Sequence, residues 1–421
     1  MSQVKQIPWG QAVAGLVLVG LMFVFGGYVG GFKSSLPLQL FIGVLIGYTL
    51  SRGSFGFAGI VRQPYITGNG LMVKAFIRMM FLTMVVYLGI QWFSQGAGAL
   101  PAYAADGGAV IPGTQNVYNV NLPFIIGATV FGMGMVIAGG CASGTLVNAG
   151  VGQGRAFITL LFFIIGTLPG GWFRETLLST GLGSASLRAF FPESMGYMGA
   201  FILSVVLLGI VYVLTVLYEQ RRKSLDSFVD IPDVPPAPAE DKEEGSLLIS
   251  MYDRVFVRPW SMAQTTITLA LLLLFIPVAF GNSWGVTSAY HKIAATAVDK
   301  LGIPLSPGNA SMVTDNLLAD STLIRNIGTV VGALVGILLA GKFRFELSFA
   351  HRDTLYYALA GLMLGFGSRA AGGCNAGALY AGIATFSLSG WVFLIFMTIG
   401  GVLSLKLFAG RVSTAPKNIV S

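Results

Sequence analysis

Cys141 and Cys374 are the only cysteines in a chain of 421 residues, and both end the same approach, Ala-Gly-Gly-Cys. Aligned without gaps, the stretches 132–146 and 365–379 are identical at eight of fifteen positions, Cys on Cys. Both interrupt strongly apolar sequence. A repeated glycine break of this kind, in corresponding positions of two halves, marks broken membrane helices around a shared path. Glycines such as Gly139, Gly140, Gly372 and Gly373 let the backbone leave helical geometry at little steric cost. A helix that resumes by Gly144 or Gly377 aims free N–H groups and a positive dipole end at the break. The thiols add weak S–H donors and a polarizable, weakly hydrated surface. Positive backbone ends suit an anion; sulfur-rich contact suits one that carries sulfur itself, and thiosulfate combines the two properties.

Three neighbours extend the constellation. Ser143 and Asn375 either hydrogen-bond the oxygens of such an anion or simply cap the following half-helix. Arg369 precedes the second break, and an arginine within a membrane segment is a functional candidate by default. Each cysteine taken alone reads as a small buried hydrophobe; their matched placement is what favours a role in the path. Arg325, near the end of another span, is expected to snorkel or pair locally. The series Gly328, Gly332, Gly336, with Gly43/Gly47 and Gly361/Gly365, reads as helix-packing faces.

The elements that must hold these residues are transmembrane helices. Hydrophobic residues make up 54% of the chain and charged ones 10%, against about 25% charged in ordinary soluble proteins. The working spans are 8–29, 36–50, 71–95, 122–150, 156–173, 196–218, 262–280, 321–341, 354–384 and 391–409. The first is too long for a signal-peptide core and is read as a retained span. With the N-terminus inside, 18 of the 25 Lys and Arg residues fall on the cytoplasmic side. The net charge of +8 then reflects the positive-inside rule rather than a nucleic-acid partner. Two cysteines without suitable neighbours make neither a disulfide scaffold nor a metal site. His291 and His351 are expected in polar connections far from both thiols. No phosphate-binding loop for ATP is present.

The expected fold is therefore an all-α polytopic membrane protein in two halves, residues 1–218 and 259–421. Between them, 219–258 reads as a cytoplasmic tether with the run Pro235-Pro236-Ala237-Pro238 and the cluster Glu240-Asp241-Lys242-Glu243-Glu244. Segment 122–150 runs inward and 354–384 outward on this count, so the motifs have opposite orientations. That is the signature of an inverted repeat, with a pseudo-two-fold axis in the membrane plane and short, broken helices around a central pathway. Re-entrant hairpins are the alternative. Both chain termini are expected in the cytoplasm.

At these residues the sequence resembles the YeeE/YedE sulfur-transport proteins of bacterial inner membranes. The likeness rests on Gly132-x-Gly134-x-x-x-Ala138-Gly139-Gly140-Cys141 and on Gly365-Phe366-Gly367-Ser368-Arg369-x-x-Gly372-Gly373-Cys374-Asn375. It extends to Phe386-Ser387-Leu388-Ser389-Gly390-Trp391 and Ser51-Arg52-Gly53-Ser54-Phe55-Gly56-Phe57. The resemblance implies uptake of thiosulfate or a related sulfur species through an hourglass-shaped protein, with the anion passed along cysteines by S–H contacts. Cys141 and Cys374 match two of those cysteines; many relatives carry a third where this chain has Gly56. It also implies a small cytoplasmic sulfur-carrier partner of the TusA type, and no cofactor. Two other readings remain at this stage: a membrane sulfurtransferase working through a Cys persulfide, and a small-solute channel, selenium compounds included.

Overall fold

The computed structural model describes residues 9–233, 251–346 and 351–414. The proline run and acidic cluster expected in the tether, and both chain ends, lie outside the described residues. The helices that matter here are α1 (Trp9–Gly30), α2 (Leu36–Gly53), α3 (Gly59–Thr67), α4 (Leu71–Gly96), α5 (Leu122–Ala138), α6 (Ala142–Gly150), α7 (Gly154–Leu178) and α8 (Phe191–Ser224). They continue with α9 (Met262–Phe280), α10 (Val286–Lys300), α11 (Ser321–Leu339), α12 (His351–Ala370) and α13 (Leu388–Leu407). Among the described residues the only β-type pairings are isolated bridges. Eight helical segments are long and apolar enough to span a bilayer, Leu122–Gly150 counted as one.

Two expected spans, α2 and α12, are not among those eight. Both are largely enclosed by neighbouring helices, with only a narrow apolar edge such as Phe41 or Leu355 exposed. Gln39, Thr49 and Arg52 are buried on α2, and Ser368 on α12. A helix enclosed by protein can carry polar groups that a lipid-facing one cannot. By contrast, α1 and α8 expose Leu16, Val17, Phe23 and Val24, and Ile202, Val206, Val213 and Leu214, as a surface solvated by acyl chains should.

Glycines bring the central helices together. With no apolar driving force between helices in lipid, close backbone approach through small residues supplies the packing. A Cβ on Gly43 or Gly47 would run into the carbonyls of Arg325 or Thr329, and one on Gly328 or Gly332 into those of Leu40 or Val44. The α2–α11 crossing is thus the glycine face read from the sequence. Arg325 departs from expectation: it does not snorkel but is fully buried and donates from Nε to Gln39 Oε1 at 2.7 Å.

The α5–α12 contact runs antiparallel. Gly127 faces Ala371, while Gly134 faces the Ala360 carbonyl and Leu364 amide, each 2.9 Å from an added Cβ. Gly367 faces the Gly127 carbonyl and Phe131 amide at 2.6 and 2.5 Å. Sliding one cysteine motif onto the other carries Gly134 to Gly367, Gly127 to Ala360 and Phe131 to Leu364, so this contact maps onto itself. The flanking pairs match in the same way. Gly132 meets Met397 and Gly400 meets Thr129 between α5 and α13; Gly365 meets Phe163 and Gly166 meets Leu362 between α12 and α7.

The segment after α8 is partly anchored. Glu219, nearly buried, accepts from the Gly70 amide at 2.7 Å and pairs with Lys74 at 2.6 Å. The Val229 amide donates to the Thr67 carbonyl at 2.8 Å, and the Asp233 carboxylate accepts from the Met262 amide at 2.7 Å.

Gly132→Ala should lower the thermal unfolding midpoint in detergent by the equivalent of about 1–3 kcal/mol, because the new methyl overpacks a backbone contact. Gly209→Ala, on an exposed stretch of α8 with nothing within 4 Å, should cost nothing measurable. Equal midpoints for the two variants would contradict the close packing.

Candidate functional site

Helix α5 starts from Asn121, whose side chain accepts from the Phe124 amide, and ends at Gly139 with φ +70°. The Gly139 amide donates to the Val136 carbonyl and the Gly140 amide to the Met135 carbonyl, both at 3.1 Å. This left-handed cap satisfies carbonyls that would otherwise be stranded at depth. Cys141 follows in extended conformation (φ −81°, ψ −170°), and α6 begins at the next residue. The second break repeats the first. Gly372 has φ +79°, Cys374 is extended (φ −119°, ψ −168°), and a π-helical turn, Asn375–Ala381, resumes at once and runs into Gly382–Ala384. Each segment is thus helix, left-handed glycine, extended cysteine, helix.

Both thiols are buried, Cys141 at 1% and Cys374 at 2% exposure. They lie within electrostatic reach of each other, and both within reach of Tyr290 on α10. The amides of Ala376 and Gly377 point at the Cys374 sulfur. On the other strand of the site, Cys141 Sγ stands 3.3 Å from Ser143 Oγ. Asn375 Nδ2 donates to Met135 Sδ at 3.3 Å, tying the second break to the end of α5, while its Oδ1 is buried without a partner. Neither Ser143 nor Asn375 caps its helix; the cysteines themselves occupy the cap positions and make no side-chain cap bond.

The two breaks open toward different surroundings. A cavity of about 570 Å3 is lined by Gly139, Gly140, Cys141 and Gly144 together with Gly56, Arg62 and Gln153. A Cβ on Gly144 would lie 3.8 Å from Cys141 Sγ, so glycine there keeps the sulfur uncovered. Around the second break stand Tyr118, whose hydroxyl is 3.3 Å from a Cβ placed on Gly373 and 3.7 Å from one on Gly377, and Asn116. Arg174, from α7, fills the space that a Gly372 side chain would need. Arg369 is within electrostatic reach of Arg174, Tyr118 and Cys374.

The sequence-derived residues therefore gather at two matched breaks. Sequence reasoning placed Arg62, Arg155 and Arg174 only as topological charges and passed over Tyr118, Asn116 and Tyr290. Their segments carry no repeat signal; only chain packing brings them to the thiols. His291 needs correction. It belongs to α10, which folds inward, is buried, shares a 2.8 Å hydrogen bond with Asn309 through Nε2, and lies within electrostatic reach of Arg369. It is not in a remote polar connection. Burial first, and the Arg369 charge second, push its pKa from 6.5 down to about 4, against the opposing hydrogen bond to Asn309. Among the described residues there is no cluster of potential metal ligands.

Twin glycine-broken helices with buried thiols, set among eight segments long and apolar enough to cross a bilayer, define a multi-pass membrane protein. The chain matches the sulphur transport family over residues 52–403 and belongs to it. It is similar to the thiosulfate transporter TsuA of Escherichia coli K12, with 26% identity over 86% of this chain and 91% of that protein. The TsuA of Spirochaeta thermophila is 24% identical over 86% of this chain and 95% of its own length. The probable transporter YedE of E. coli K12 matches a shorter part, 24% identical over 34% of this chain.

Gly372→Ala should destabilise the protein by about 1–3 kcal/mol through a strained left-handed residue and by displacing Arg174. Gly56→Cys should leave the melting midpoint unchanged, since a Cβ there meets nothing within 4 Å. A Gly372→Ala protein as stable as the parent would refute this account of the break. His291 makes a pH prediction. Its lowered pKa stabilises the fold above pH 6.5, and that contribution is lost as pH falls toward 4. The stability gap between the parent and His291→Asn should narrow over that window; a constant gap would mean that His291 charges freely.

Proposed function

We propose that this protein carries thiosulfate, or a closely related small sulfur anion, across the bacterial inner membrane along a path that passes Cys374 and then Cys141. The observation that carries the reading is the matched pair of glycine-capped, extended cysteines, each buried and each facing the start of the next helical segment. At such a point hydrogen-bond donors converge on a weakly polar sulfur surface. An anion with a sulfur end and an oxygen end fits that mixture; sulfate offers only oxygens.

The thiols act without covalent chemistry. A neutral thiol can donate S–H to the incoming anion, whereas a thiolate would repel it. Ser143 Oγ, close to Cys141, and the Asn375 Nδ2 group beside Cys374, which otherwise donates to Met135 Sδ, supply hydrogen bonds to the oxygens. Arg369 and Arg174 offset the anion's charge on the Cys374 side. His291 is held through Nε2 by Asn309 and faces the Arg369 charge, an arrangement that favours a transporter without an enzymatic step over a persulfide-forming transferase.

The self-matching contact of α5 with α12, and the equivalent α5–α13 and α12–α7 contacts, support two halves, 1–218 and 259–421, in inverted orientation. The excess of Lys and Arg on one side supports a cytoplasmic position for the cavity at Cys141, for both termini and for the connecting segment 219–258. A TusA-like sulfur carrier meeting the protein at that face would accept the delivered sulfur species.

Cys374→Ala should abolish uptake of 35S-labelled thiosulfate into proteoliposomes containing only this protein, at unchanged folding by thermal melt. Competition should follow the sulfur end of the anion, with unlabelled thiosulfate effective and sulfate weak. Undiminished uptake by the variant would remove the thiol from the path.

A further inference from the structure

Each break is attended by two arginines. Arg174 occupies the side-chain space of Gly372, with Arg369 within its electrostatic reach. At the first break the guanidinium carbon of Arg155 lies 3.8 Å from a Cβ placed on the equivalent Gly139, and Arg62 of α3 is its partner in repulsion. None of the four forms an ion pair among the described residues. The Cys374-side pair has been placed in the path above; the other pair has no role there.

Arg62 lines the cavity of about 570 Å3, and Arg155 stands behind its wall at Gly139 and Gln153. Arg62 lines it beside Cys141, with Ser54, Gln63, Asn148 and Gln153. Its Nε is buried and has no hydrogen-bond partner. Arg155 gives Nε and Nη2 to Gln153 Oε1 at 3.2 and 2.9 Å, a neutral acceptor that leaves its charge uncompensated. Burial, and next the like charge of Arg155, lower the Arg62 pKa, with Tyr357 opposing. Two guanidiniums near each other, one lining a concave, half-buried space with amide and hydroxyl groups and the other behind its Gly139 wall, and neither paired to a carboxylate among the described residues, lack a doubly charged acceptor. Guanidinium is the side chain best matched to tetrahedral oxyanions.

We propose that this cavity is a dianion-binding station in its own right, in which Arg62 and Arg155 hold a small tetrahedral oxyanion between Cys141 and the membrane face. Its role in transport rests on the path proposed above; its binding chemistry does not. The station reads charge and the thiols read sulfur, so sulfate, which the thiols should not pass, should still bind here. An anion leaving Cys141 would then be retained at a high-affinity step before release.

The test is a titration of the purified full-length protein in detergent with sodium sulfate, and separately thiosulfate, followed by thermal shift and calorimetry against sodium chloride at matched ionic strength. Sulfate should bind the parent and Cys374→Ala equally. Arg62→Gln and Arg155→Gln should each weaken it roughly ten-fold or more, the loss of one charge-assisted contact, while Arg62→Lys retains part of the affinity. The unliganded melting midpoint of each variant reports folding. Equal sulfate affinity in parent and Arg62→Gln would overturn the station, as would loss of binding in Arg174→Gln alone, or chloride stabilising the parent as strongly as sulfate. If Cys374→Ala transports normally while Arg62→Gln loses sulfate, the thiol path falls and the station stands.

Discussion

A peptide group in the middle of a bilayer has no water to turn to, and that single constraint organises this protein. A helix can stop at depth only where its last carbonyls and the first amides of the next segment find partners or face a polar path. The left-handed glycines Gly139 and Gly372 meet the first half of that requirement by folding the chain back onto the last-turn carbonyls. The second half is left open: the cap positions of the following segments are cysteines whose side chains make no cap bond. The irregular backbone is tolerable because it is enclosed by α2, α3, α7, α10 and α11, and because its free donors face a space in which something polar can stand.

The enclosure depends in turn on glycine elsewhere. Helices that must surround a broken segment cannot be held off by bulky side chains, so the crossings are made backbone to backbone. Each central contact uses a glycine on both partners: Gly43 and Gly47 with Gly328 and Gly332, Gly134 with Gly367, Gly166 with Gly365. This division of labour explains why α1 and α8, which contribute little to the centre, carry the long apolar faces, whereas α2 and α12 carry buried polar groups. Lipid solvates the periphery, and the centre is solvated by itself.

Much of this was legible in the sequence because it depends on local residue type. The Gly-Gly-Cys breaks, the small-residue faces and the apolar spans follow from glycine's backbone freedom and from hydropathy, and the helices sit within a few residues of where those signals put them. What was not legible depends on contacts between distant segments. Arg174 lies some two hundred residues before Gly372 in the chain and fills its missing side chain only because α7 packs along α12. Tyr118 comes from a connection with no periodicity. His291 looked solvated because α10 is amphipathic and short; its buried hydrogen bond to Asn309 needs a second connection that no pattern announces. Arg325 misled in the opposite direction, since a partner, Gln39, lies on another helix and removes the need to reach for water.

Guanidiniums stand near both thiols without taking their place at the breaks: Arg62 lines the cavity beside Cys141, and Arg369 is within electrostatic reach of Cys374. If guanidiniums contacted the anion at the same point as the thiols, binding would be tight for any dianion and the thiols would add little discrimination, because charge-assisted bonds outweigh S–H contacts. On the path proposed above, arginines beside the thiols rather than in their place would let charge gather the anion, while the break positions themselves present weak, sulfur-preferring donors. On that proposal selectivity would arise where attraction is least, at a point that an anion without exposed sulfur has little reason to enter. The glycine breaks make such an arrangement possible: they supply directional backbone donors at the thiols without adding a full charge there.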